Sequence, residues 1–374
     1  MSATDDPKHR PPGHRAAGLR TVGRRTVGRR TTGRRPLLAA VAALAVVALA
    51  GCAASTPAAA PAADKATVPA AVPAKQLTGL TLRVGDQKAG LQALLKAAGE
   101  LDNVPYKIAW STFTAGPPLL EAVNAGAVDI GGVGNTPPIF SAAAGGKIAI
   151  VSASHDSAAG DAILVPKGST VRTVAELKGK RVAVATGSSA HGNLLLQLTK
   201  AGLTPSDIKT TFLAPSDGYA ALAAGRVDAW AVWDPYTAQA EKELGARILV
   251  SGKGLANGLA FQVASRAALA DAKRNSAIKD LVARTVRARI WAKSHQQEWA
   301  HEYAQMTGLP YAVTLASAQR SDDYPIALTP QIAASEQKLA DAFAAAKVIP
   351  VRPKIASIID ARFNKIVTDE GATS

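Results

Sequence analysis

The chain has 374 residues and a formal net charge of +15, long enough for two domains of ordinary size. Residues 1–51 hold 10 Lys and Arg against 2 Asp and Glu, so the remainder, with 33 basic and 26 acidic residues, carries only +7. No basic stripe interleaved with aromatics follows, which argues against a nucleic-acid groove. Cys52 is the lone cysteine, so an intrachain disulfide and a thiolate nucleophile in the folded body are both excluded.

In chain order, arginine pairs at Arg24-Arg25, Arg29-Arg30 and Arg34-Arg35 run into the apolar stretch PLLAAVAALAVVALAG. That stretch is shorter than the roughly 20 residues a spanning helix needs. A basic segment before a short apolar one is the pattern of an export signal, expected here over residues 1–51. Its GRRPLL is similar to a twin-arginine signal, and the closing LAGC, Leu49 to Cys52, resembles a lipobox. Cleavage there would leave an acylated Cys52 as the mature N-terminus. Residues 52–78 are mostly Ala, Pro, Thr and Lys, with too few large apolar groups to offset the entropy of ordering, and read as a flexible tether. The expected location is extracytoplasmic, anchored by lipid at a membrane face.

From residue 79 the pattern is α/β. LTLRVGD and RVAVAT are short runs rich in β-branched residues, each leading into a helical stretch. Aligning them sets Val84 against Val184. NAGAVDIGGVGNTP, residues 124–137, echoes AAGRVDAWAVWDPY, residues 223–236: a helix ends at glycine, Val-Asp opens a strand, and a cap-like residue precedes proline. Two lobes of similar construction follow, the first over residues 79–165 and 260–374, the second over 166–259. Residues after 265 are helical and should pack on the lobes. The predicted fold is a two-lobed α/β protein with a ligand cleft at the C-terminal ends of its strands.

Four strand-to-helix junctions point at that cleft: Asp86-Gln87-Lys88, Gly134-Asn135-Thr136, Gly187 to His191, and Trp233 to Tyr236. A helix start presents unpaired N–H groups and partial positive charge, and so receives an anion. Thr136 reads as a cap with Pro137 at the first helical position. Ser188 and Ser189 add hydroxyl donors, and His191 lies one turn into the helix that follows. Asp234, before Pro235, suits a cap as well as a ligand contact. Trp230 and Trp233 face opposite ways in an extended run, Trp233 being the one expected to wall the cleft. Pro137 stands where GVGNTP would need the last glycine of a dinucleotide loop, and no GxxxxGK[ST] occurs, so the expected ligand is a small anion. His9, His14, His155, His191, His295 and His301 show no metal-binding spacing; neither metal nor cofactor is expected.

FTAGPPLLEAVNAGAVDIGGVGNTPPIFSAAAG, GSSAHGNLLLQLTKAGL and VDAWAVWDPY together resemble the aliphatic sulfonate-binding proteins of ABC importers. These group with the taurine- and nitrate-binding proteins among the type II periplasmic binding proteins. The resemblance runs from about residue 80 to about residue 360. It implies that sulfonate oxygens meet Ser188, Ser189 and the N–H of Ala190, that Gln87, Asn135 and Thr136 grip from the first lobe, and that Trp233 flanks the organic tail. It also implies a monomer that passes its cargo to an ABC permease, in sulfur acquisition. Relatives often carry an aromatic residue at Asp86 and an aspartate at Asn135, and a late RRPxY-like segment is here RSDDYPI, with Tyr324 as its cleft residue. Taurine, nitrate or a thiamine-pyrimidine precursor is the alternative cargo. A desulfinase of this fold would need a cysteine nucleophile, which Cys52 at the lipobox cannot supply, so no catalysis is expected.

Overall fold

A computed structural model describes residues 67–371. The export signal, Cys52 and most of the expected tether lie outside these residues. The end of the tether is docked: Leu77 is buried, Val72 packs beside it, and the Val72 N–H donates to Ser276 Oγ at 2.9 Å.

The body opens with β1 (Thr81–Gln87), α1 (Gly90–Ala97), β2 (Lys107–Phe113), α2 (Gly116–Asn124), β3 (Ile130–Gly134), α3 (Thr136–Ala143) and β4 (Ile148–His155). It continues with β5 (Ala162–Val165), β6 (Arg181–Val184), α4 (Ser189–Lys200), β7 (Lys209–Phe212), α5 (Pro215–Ala223), β8 (Ala229–Val232), α6 (Tyr236–Leu244) and β9 (Arg247–Ser251). The chain then returns through β10 (Leu259–Ser265), α7 (Arg266–Ala270), α8 (Ala272–Ala292), α9 (Gln296–Thr307), α10 (Tyr311–Arg320), β11 (Tyr324–Ile326), α11 (Pro330–Ala345) and α12 (Asn364–Gly371).

These strands form two sheets, in the order β11-β4-β10-β3-β1-β2 and β7-β6-β8-β5-β9. In the first, β1 runs parallel to β2 and β3, and β10 lies antiparallel beside β3. In the second, β6 runs parallel to β7 and β8, and β5 lies antiparallel beside β8. Each lobe therefore takes its antiparallel strand just after the chain crosses over from the other lobe. The crossings are residues 156–161 and 252–258. This corrects the predicted boundary: Ala162–Val165 belongs to the second lobe. Its unbroken apolar run is buried throughout, and such a run carries no sign of which sheet covers it.

The internal echo is real in geometry and shifted in register. Gly126 and Gly225 end their helices with φ of 72° and 64°. Arg83 Nη2 reaches Asp129 Oδ1 at 2.5 Å, and Arg181 Nη2 reaches Asp228 Oδ1 at 2.8 Å. Val84 pairs with Ile130 and Val182 with Ala229, so Val84 corresponds to Val182 and not to Val184. A slip of two preserves which side chains face the core, and hydrophobic patterning cannot detect it. The C-terminal helices pack on both lobes: Ile278, Leu281, Val282 and Val286 of α8 join the first lobe's core around Leu82 and Val84, while Val313 of α10 packs on Ala238 of α6 in the second. Each such side chain contributes about 1.5–3 kcal/mol on full burial.

Candidate functional site

A cavity of about 320 Å³ lies where the strand ends of both lobes converge, near the lower end of the size range of small-molecule sites. Of the residues singled out in the sequence, Gln87, Asn135, Ser188, Ser189, Trp233 and Asp234 line it. Trp230, three residues before Trp233, is 1% exposed and belongs to the core of the second lobe.

The four helix starts are not equivalent. At α1 the Asp86 carboxylate already accepts the N–H groups of Gln87, Leu91 and Gln92 at 2.7, 3.1 and 2.9 Å. At α6 Asp234 accepts the Ala238 N–H at 2.9 Å. Both starts thus hold an anion from their own chain, and an external one is left the starts of α3 and α4. These two meet across the lobes. A Cβ added at Gly134 would lie 2.9 Å from Ser189 Cβ, and one at Gly192 would lie 2.4 Å from Thr136 Oγ1.

At α4, Ser188 is the cap. Its Oγ donates to the Ala185 carbonyl at 2.7 Å and accepts the His191 N–H at 3.2 Å. Its hydroxyl hydrogen is therefore committed, and the part Ser188 plays is to set the geometry of the helix start. The first-turn N–H groups of Ser189 and Ala190 have no carbonyl one turn earlier to bond. Ser189 Oγ donates to Asp161 Oδ1 at 2.9 Å. At α3 the cap position is Asn135, one residue earlier than predicted, and Thr136 opens the helix. Pro137 and Pro138 carry no N–H, so this start offers little beyond the Thr136 N–H and the Asn135 side chain. Gln87 Nε2 donates to the Gly132 carbonyl at 2.9 Å.

Four expected residues are placed elsewhere. The side chains of Thr136 and Ala190 are fully buried behind the cavity wall. His191 turns away from the cavity: its Nδ1 accepts the Gly187 N–H at 3.1 Å, and its ring packs on Phe140, Phe212 and Phe343. Burial pushes its imidazole down to about 4, so it is neutral near pH 7. Tyr324 lies on edge strand β11, 40% exposed, against His155 and Lys293. Three-residue β11 pairs with β4, and that pairing holds Tyr324 outside the cavity.

Sequence reading missed Arg289, Arg320 and Asp161, which line the cavity together with Asp156. For the arginines a signal existed. Ile278, Leu281, Val282, Thr285 and Val286 form the buried stripe of α8, and Arg289 continues its spacing. Arg320 likewise follows Val313 and Ser317 on α10. A charge on a buried stripe is expensive and asks for a partner. Arg289 pairs with Asp323, and Arg320 with Glu241 and with Asp234 at 3.5 Å. Burial lowers the Arg289 guanidinium only to about 10, so it remains charged. Among the described residues Asp161 has no cation paired with it and Ser189 is its one hydrogen-bond donor to the carboxylate; burial pushes the carboxyl up to about 7, with Asp156 and Asp234 adding repulsion. The described residues include no group of three or more His, Cys, Asp or Glu able to hold a metal ion.

Two α/β lobes that exchange an antiparallel strand and share one cavity define the fold of a periplasmic binding protein. Residues 87–308 match the model of the NMT1-like family, and the chain belongs to that family. A relative from Escherichia coli (strain K12), named as an aliphatic sulfonates-binding protein, is 36% identical over 281 residues, 73% of this chain and 86% of the relative. Among solved structures, the alkanesulfonate-binding protein of Xanthomonas axonopodis pv. citri, bound to MOPS, matches with a TM-score of 0.69 at 35% identity, covering 76% of this chain and 99% of that one. The periplasmic aliphatic sulphonate binding protein of Escherichia coli matches with a TM-score of 0.66 at 35% identity, covering 75% and 92%.

Proposed function

We propose that the chain is the extracytoplasmic solute-binding component of an ABC importer, capturing aliphatic sulfonates and delivering them to its permease. The observation that carries this reading is the meeting of two helix starts that hold no carboxylate of their own chain, α3 and α4, at one cavity between the lobes. A sulfonate stays ionised across the physiological range, accepts from several donors and requires no proton transfer. The ligand-contact set is Asn135 and Gln87 from the first lobe, with Ser189 and the Ala190 N–H from the second; Trp233 walls the tail. The role is capture without catalysis, since the one cysteine is Cys52. Isothermal titration calorimetry with ethane- to octanesulfonate, taurine, sulfate and nitrate tests the reading. Alkanesulfonates should bind most tightly; a protein that takes taurine or nitrate and ignores alkanesulfonates contradicts it.

Anchoring belongs to the same reading. LAGC after an apolar run supports a lipid on Cys52 and removal of residues 1–51. Mass spectrometry of the membrane fraction should find a diacylated N-terminal Cys52 peptide, and an unmodified Cys52 there sinks the idea.

A further inference from the structure

Glu336, on α11, is fully buried, and its Oε1 has no hydrogen-bond partner among the described residues. Nothing in the anion grip uses it directly. Its other oxygen accepts from Asn257 Nδ2 at 3.0 Å. Asn257 sits in the second crossing between the lobes, and its Oδ1 accepts from Asn135 Nδ2 at 2.7 Å. Asn135 Oδ1 in turn accepts the Thr136 hydroxyl at 2.9 Å.

The direction of this relay is not free to reverse. The Leu259 backbone N–H can only donate, and it donates to Asn257 Oδ1 at 3.3 Å. Asn257 must then turn its NH₂ toward Glu336, and Asn135 must turn its NH₂ toward Asn257. An amide nitrogen carries two hydrogens. One goes to Asn257, and the other belongs to a side chain that lines the cavity, while the oxygen of Asn135 already accepts the Thr136 hydroxyl. The residue therefore has an N–H donor left for the cavity. The loop bearing Asn257 is itself pinned: Asp156 N–H donates to the Gly258 carbonyl at 2.9 Å, and a Cβ at Gly258 would lie 1.9 Å from the Asp156 carbonyl oxygen.

We propose that Asn257 and Glu336 are positioning residues for the anion site, holding the Asn135 amide with its N–H toward the ligand. The proposal rests on the reading of the cavity as a sulfonate site. It matters because the start of α3, with its two prolines, has few other donors. Burial pushes the Glu336 carboxyl up to about 8, so near neutral pH the relay ends in an uncharged group that does not oppose an anion. Glu336 touches no ligand; its effect passes through two amides.

The test is octanesulfonate titration of four variants of the full chain, with thermal melts as a folding control. Glu336→Leu removes the acceptor and should weaken binding about tenfold or more, the usual scale for a lost hydrogen bond to a charged ligand. Glu336→Gln keeps an acceptor for Asn257 and should bind within about threefold of the wild type. Asn135→Ala should weaken binding, and adding Glu336→Leu to it should cost nothing more. If Glu336→Leu binds as the wild type does, if Glu336→Gln loses as much as Glu336→Leu, or if the loss persists in the Asn135→Ala background, the relay is wrong. A readout independent of ligand separates this from the functional reading. The Asn135 side-chain amide resonances should be shifted and exchange-protected in the wild type and Glu336→Gln, and lose both features in Glu336→Leu. A wild type that takes no sulfonate yet shows that pattern retires the cargo and keeps the relay; a pattern unchanged in Glu336→Leu retires the relay whatever binds.

Discussion

Gly134→Leu is expected to weaken alkanesulfonate binding by roughly 5- to 150-fold while leaving the thermal melt of the unliganded protein close to that of the wild type. Gly134 ends β3, and an added Cβ would sit 2.9 Å from Ser189 Cβ on the first turn of α4. Overpacking a core costs about 1–3 kcal/mol when the structure cannot yield. Here the contact lies on the seam between two lobes, each with its own sheet, and the chain can relieve it by parting them. The cost then falls on closure, and so on a ligand that needs both helix starts at once. Lys88 Nζ over the Tyr236 ring, 5.1 Å from its centroid, spans the same seam and would separate with it. Gly218→Ala makes the contrast. Its Cβ would meet Trp230 Nε1 at 2.4 Å inside the second lobe, so it should lower the melting temperature. Small-angle scattering should show wild-type protein contracting on saturation with octanesulfonate and Gly134→Leu contracting less at the same concentration. A Gly134→Leu variant with wild-type affinity, or with a melt as damaged as that of Gly218→Ala, contradicts this account.

Alkanesulfonate affinity is also expected to fall as pH rises through about 7, the value to which burial pushes the Asp161 carboxyl. When ionised, Asp161 accepts the Ser189 hydroxyl and turns that hydrogen away from the cavity. When protonated, it can donate to Ser189 Oγ, which frees the serine hydrogen for the ligand and removes a like charge. A bound anion therefore favours the protonated form and raises the carboxyl further. The sign follows: affinity is full below the ligand-free value and declines above it, by up to about tenfold per pH unit, until the ligand-bound value is passed. The charged groups that share the cavity with Asp161 are Asp86, Asp156, Asp234, Asp323, Arg289 and Arg320, of which Asp156 and Asp234 raise its carboxyl. Asp234, pushed up to about 6 by burial against the pull of Arg320, adds in the same direction at lower pH. Glu336 adds at higher pH, and His191, already down near 4, stays neutral throughout. Titration in two buffers of different ionisation heat should show proton uptake on binding near pH 7, much reduced in Asp161→Asn. Affinity that is flat from about pH 5.5 to about pH 8.5 would rule out the linkage.

The lobes, the cleft and the helix starts were legible because they are local events. Gly126 and Gly225 end helices through their own backbone freedom, and Val-Asp opens a strand twice with the same Arg–Asp pairing. A run such as Gly187-Ser188-Ser189 sets a cap wherever its helix lies, and the alternation of a strand decides that Trp230 and Trp233 face opposite ways. Family resemblance named the anion on the same local grounds. Which helix starts stay open was a different matter, since Asp86 and Asp234 are short side chains whose reach to a following helix depends on the turn between. His191 illustrates the limit: one turn into α4, its ring went to Phe140 and Phe343, brought there by α3 and α11. Arg289 and Arg320 carried a faint mark, charges on buried stripes, but only the packed helices show that the stripe ends in the cavity. Asp161 and Glu336 carried none. Their properties come from burial and from partners on other elements, Ser189 for one and Asn257 for the other. Local sequence specifies backbone conformation through short-range sterics and hydrogen bonds. Desolvation and charge coupling are set by which distant segments share a volume, and that exists only once the chain has folded.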